Sequence, residues 1–119
     1  MSSDLIDMKT LTYEYGDDWD IFEELIADYQ SSYQEMLTSL EQAIEDKDSE
    51  GLRMKAHTIK GIVANFYSDK LRDEASKLEA CGKNEDFTQA SDYLNNFKKL
   101  NDEVLSLIHD YSMSKVKAC

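Results

Sequence analysis

A chain of 119 residues has the length of one domain built on one hydrophobic core. Its 25 acidic against 13 basic residues give a formal net charge of -12, which argues against nucleic acid or an anionic membrane surface as a partner. Two cysteines, Cys81 and the terminal Cys119, make no disulfide framework, and the N-terminal segment does not resemble a signal peptide. No apolar run approaches the ~20 residues that span a bilayer; with no disulfide framework, a reducing cytoplasm is the expected location. With no proline and four glycines, long stretches are free to be helical, and no segment alternates like a half-buried strand.

In chain order, Leu5, Met8, Leu11 and Tyr15 recur every three to four residues and predict a short first helix that stops at Gly16. Asp17 and Asp18 suit the start of a second, because carboxylates accept hydrogen bonds from its free N–H groups. Phe22, Leu25, Ile26, Tyr29, Tyr33, Met36, Leu37, Leu40, Ala43 and Ile44 carry its apolar face to about residue 46. The opposite face is acidic and reads as solvated.

Asp48 or Ser49 can cap a third helix, on which Leu52, Ala56, Ile59, Val63 and Phe66 form the inward stripe. At about 100° per residue, His57 lies roughly 140° from the centre of that stripe and faces outward. Lys60 at i+3 and Gly61 at i+4 are its neighbours on the helix surface, with Ala64 at i+7. Glycine inside a helix costs about 1 kcal/mol relative to alanine, and close approach by another molecule would explain Gly61. Arg53, Lys55 and Lys60 against Glu50 make residues 50–66 locally positive in an acidic chain. An anion on His57 would meet favourable charge there.

Ser68-Asp69 can start a fourth helix with Leu71, Ala75 and Leu78 inward and Gly82 just past its end. A loop at 83–86 leads to a final helix built on Phe87, Ala90, Leu94, Phe97, Leu100, Val104, Ile108 and Tyr111. These patterns predict an all-α fold, an antiparallel four-helix bundle with a short additional N-terminal helix. The domain is expected over residues 1–112, with 113–119 a disordered tail because the apolar period ends there. Cys81 reads as a small buried side chain, and His109 as a histidine at the negative end of the last helix.

His57, Lys60 and Gly61, with Ala56 before them and Asn65-Phe66 after, fit an H-x-x-K-G pattern. In these residues, and in Leu71, Leu78 and Glu79 of the next helix, the sequence resembles the histidine-containing phosphotransfer (HPt) domains of multistep two-component signalling. One departure is local: the family commonly has a glycine after Asn-Phe, where Tyr67-Ser68 stand here.

The resemblance implies that His57 accepts a phosphoryl group, that Lys60 stabilises it and that Gly61 lets a partner approach. It places Glu79 where it can orient the His57 ring and Lys83 where some members carry a second basic residue. Leu11 and Phe22, with Ala64, are the residues it suggests for docking a partner. The implied partners are response-regulator receiver domains and a hybrid sensor histidine kinase, with Mg²⁺ on the receiver and no cofactor held by this chain. The chain would then be a monomeric phosphocarrier rather than a kinase, for it has no P-loop or kinase signature. The alternative is a non-phosphorylated helical adaptor that binds a receiver or another signalling partner.

Overall fold

The structure, a computed structural model, describes the backbone of residues 5–118 and the side chains of residues 5–115. The regular elements are α1 (Met8–Tyr15), α2 (Trp19–Glu45), α3 (Ser49–Val63), α4 (Asp69–Lys83) and α5 (Ala90–Ala118), with 3₁₀ turns at Gly16–Asp18 and Ala64–Phe66. Side-chain caps set three of the starts. Asp7 accepts from the Thr10 N–H at 3.1 Å, Asp48 from the Gly51 N–H at 2.9 Å and Ser68 from the Leu71 N–H at 3.3 Å. Asp17 and Asp18 instead form the 3₁₀ turn before α2, where Asp18 makes no side-chain cap bond.

The inward stripe predicted for α3 is fully buried, as are Leu71, Ala75 and Leu78 of α4. Pairings between helices fix their directions. Trp19, Tyr29 and Glu41 of α2 meet Ser112, Asn101 and Lys98 of α5, so these two run antiparallel. His57 and Lys60 of α3 meet Glu79 of α4, while Arg53 lies against Gly82, again antiparallel. The result is an all-α antiparallel bundle of α2 to α5. At the end where α2 begins and α3 finishes, the short α1 is tied to the Tyr67 carbonyl by the Asp7 N–H at 2.8 Å.

A polar pair crosses the core between α2 and α5. Asn101 is fully buried and its Oδ1 accepts the Tyr29 hydroxyl proton at 2.5 Å. Burial pushes both nearby phenols up, Tyr33 to about 12.

Four sequence expectations are corrected. Leu11 and Phe22 are fully buried and therefore belong to the core rather than to a docking surface; their periodicity reported an inward face. Gly82 does not follow α4 but lies buried within its last turn, because α3 passes too close for a side chain. Residues 113–118 continue α5 instead of forming a disordered tail. There Lys115 lies over the rings of Trp19 and Tyr111, at 5.6 and 5.7 Å from their centroids. As a result His109, exposed on α5, stands well before the helix end at Ala118, and the dipole does not account for it. Cys119 lies outside the described residues.

Tyr67 occupies the turn between α3 and α4 with φ 54° and ψ 42°. This left-handed conformation is the one glycine adopts without cost, so the departure from the HPt pattern falls at the residue where glycine would be easiest. The ring is half-buried against the core, which offsets part of the backbone cost.

Candidate functional site

His57 projects from the middle of α3 with its side chain 66% exposed. Side chains on a helix lean toward its N-terminus, so Lys60, one turn later, leans back toward the imidazole. Across the groove between α3 and α4 stands Glu79, with only 20% of its side chain exposed. Its Oε2 lies 2.9 Å from His57 Nδ1, and its Oε1 lies 2.5 Å from Lys60 Nζ. One carboxylate therefore holds both residues.

This arrangement decides the histidine's tautomer. An ionised carboxylate can only accept hydrogen bonds, so Nδ1 carries the proton. The lone pair of the neutral ring is then on Nε2, turned away from Glu79. An imidazole of fixed orientation, with its side chain open to a second molecule, is what the site offers chemically.

The Glu79 carboxyl is held below the usual carboxylate range, first by the hydrogen bond from Lys60 and then by that from His57; burial opposes both. Because the folded-state value is lowered, the stability it contributes is present above the unfolded carboxylate range and is lost as pH falls through the lowered folded value. The stability gap between wild type and Glu79→Gln in urea unfolding is expected to hold from neutral pH down to the ordinary carboxylate range and to narrow as pH falls below it. A gap that stays constant with pH would show that the lost charge is not its source.

The other predicted residues fall as follows. A Cβ placed on Gly61 would meet nothing within 4 Å, so the glycine clears space outside the chain and relieves no internal crowding. Ala64 is exposed one turn further on, at the start of the 3₁₀ turn. Lys83 is exposed at the last residue of α4, one turn beyond Glu79, and the structure does not bring it into contact with His57, Lys60 or Glu79. Tyr15 approaches this end of the bundle, its hydroxyl 3.5 Å from Asn65 Oδ1.

One feature was not singled out from sequence, and a second entered only as part of the local positive charge. Met54 is 54% exposed on the flank of α3 opposite Glu79. With Met36 and Thr58 it lines a groove of about 340 Å³ between α2 and α3, edged by Glu35 and Lys55. Arg53, one turn before His57, is paired with Glu50. Its i−4 spacing was legible, but the H-x-x-K-G pattern directs attention only C-terminally.

Among known proteins, the chain is 32% identical over 88 residues to the phosphorelay intermediate protein rdeA of Dictyostelium discoideum. The alignment takes in 74% of this chain and 35% of that protein, so the chain spans about a third of its relative's length. No solved structure gave a significant match. The family model of the Hpt domain matches residues 24–109, an interval that holds His57, Lys60, Gly61 and Glu79 together, and on that match this chain belongs to the Hpt domain family.

Proposed function

We propose that this chain is a phosphorelay intermediate that carries a phosphoryl group on His57 between aspartates of receiver domains. The observation that carries the reading is the bond between His57 Nδ1 and Glu79, which leaves Nε2 as an exposed nucleophile. Nε2 attacks the phosphorus of a receiver's aspartyl phosphate; an N–P bond forms as the O–P bond breaks, and the aspartate leaves as a carboxylate. No proton has to leave the ring. Nδ1–H stays on, the ring becomes cationic, and Glu79 offsets that charge. Returning the phosphoryl group to a second aspartate reverses each step.

Positioning and charge neutralisation carry most of the catalysis in phosphoryl transfer. Lys60 supplies one cation beside His57, and Lys83 stands one turn past Glu79 as a further source. We assign the Mg²⁺ of the reaction to the receiver, as the likeness to Hpt domains implies. The open face over Gly61 and Ala64, with the groove beside Met54, replaces Leu11 and Phe22 as the docking surface. A hybrid sensor histidine kinase upstream, a cytoplasmic location and a monomeric state complete the reading. Among the described residues, no helix is long and apolar enough to cross a membrane.

The test is intact-mass measurement after mixing the chain with a phosphorylated receiver domain or with phosphoramidate, alongside His57→Gln. Wild type is expected to gain one phosphoryl group, labile in acid and stable in base, and His57→Gln none. A folded wild-type chain that gains nothing from several donors would leave a binding-only adaptor. A gain retained in His57→Gln would place the chemistry on another residue.

A further inference from the structure

Each residue of a helix advances about 100° around its axis. Measured from His57, Arg53 lies about 40° and Lys60 about 60° to one side, while Gly61 and Met54 lie about 40° and 60° to the other. Lys60 reaches Glu79, so the side shared by Arg53 and Lys60 is the one that faces α4. The two cations bracket His57 from the turns before and after it.

Arg53 is at present committed elsewhere. Its Nε and Nη2 donate to the two carboxylate oxygens of Glu50 at 3.0 and 2.5 Å. Both partners are open to water, at 39% and 68% exposure, and sit three residues apart on one helix. Exposed ion pairs within one helix are generally weak, so Arg53 can exchange partners.

Two observations tie Arg53 to the His57 groove. A Cβ on Gly82 would lie 2.5 Å from the Arg53 backbone nitrogen, so this turn of α3 is wedged against α4 one turn from Glu79. The guanidinium is raised above its ordinary range chiefly by its hydrogen bond to Glu50 and by that residue's charge, and Glu79 adds to the effect. Arg53 thus stands in the field of the carboxylate that orients His57.

A phosphoryl group brings a charge of about −2 and three acceptor oxygens to a place where Lys60 already neutralises Glu79. The planar guanidinium fork matches such oxygens better than any other side chain. Building on the proposed phosphocarrier role, we propose that Arg53 is the second phosphoryl-binding cation: it leaves Glu50 when His57 is phosphorylated and donates to the phosphoryl oxygens, with Glu50 as its resting partner and competitor. The exchange makes and breaks hydrogen bonds only.

The test is a ³¹P titration of the full chain phosphorylated with phosphoramidate, reading the second acid constant of the phosphoryl group in wild type, Arg53→Gln, Glu50→Gln and the double variant. Circular dichroism checks that each variant is folded. Arg53→Gln is expected to weaken that acid about tenfold, because the dianion loses its guanidinium. Glu50→Gln is expected to strengthen it, and to do nothing in the Arg53→Gln background. Arg53→Lys should restore part of the wild-type value. Equal acid constants in wild type and Arg53→Gln would overturn the proposal. Additive effects of the two substitutions would also overturn it, since they show two independent surface charges. A wild-type chain that takes up no phosphoryl group from any donor sinks the phosphocarrier reading itself and Arg53's role with it.

Discussion

Gly82→Ala is expected to destabilise the fold by about 2 kcal/mol, although replacing a helical glycine by alanine ordinarily stabilises by about 1 kcal/mol. The sign follows from what the added methyl would meet: the Arg53 nitrogen at 2.5 Å, the Ser49 carbonyl oxygen at 2.7 Å and the Arg53 Cα at 2.8 Å. All three are backbone atoms, which cannot turn aside as a flexible side chain does, so α3 and α4 must separate. Because Glu79 lies one turn away on the same helix, the separation also draws its carboxylate from His57. Urea unfolding followed by circular dichroism measures the loss, and the ¹⁵N shifts of the His57 ring report the second effect as a shift away from a single Nδ1–H tautomer. A variant more stable than wild type would mean that the helices have room to spare.

The two glycines show how far sequence reaches into this site. Gly61 and Gly82 are both helical glycines, yet one faces open space and the other a neighbouring backbone. Periodicity places Gly61 opposite the apolar stripe, so its outward position was legible. It could not tell a helix stop at Gly82 from a close crossing, because that distinction belongs to the other helix. The same limit applies to Leu11 and Phe22, whose spacing announced an apolar face without saying what covers it. Glu79 came only from the family resemblance: nothing in its own helix points across the groove. By contrast Asp48 and Ser68 act locally, within one turn: the sequence offered Asp48 or Ser49 for one helix and Ser68-Asp69 for the next, and Asp48 and Ser68 make the cap bonds. Residues 113–118 carry no apolar period, yet the backbone continues the helix there, and Lys115 lies over the rings of Trp19 and Tyr111.

Gly61→Leu is expected to leave the fold intact, or slightly more stable, while slowing phosphoryl transfer from a receiver by about a hundredfold. In the free chain a side chain at 61 meets no neighbour, and leucine is a better helix former than glycine by several tenths of a kcal/mol. Helical side chains lean toward the N-terminus, so a leucine here would lie over the turn that carries His57, between Nε2 and an approaching aspartyl phosphate. In-line transfer tolerates little displacement, and a misplacement of about 1 Å can cost that hundredfold factor. A small donor separates this effect from damage to the histidine: phosphoramidate should still phosphorylate the variant at close to the wild-type rate. Gly61→Ala, which adds one methyl group, should fall between. If Gly61→Leu accepted phosphate from a receiver as fast as wild type, the open space over His57 would not be where the partner docks, and the groove beside Met54 would have to carry the contact alone.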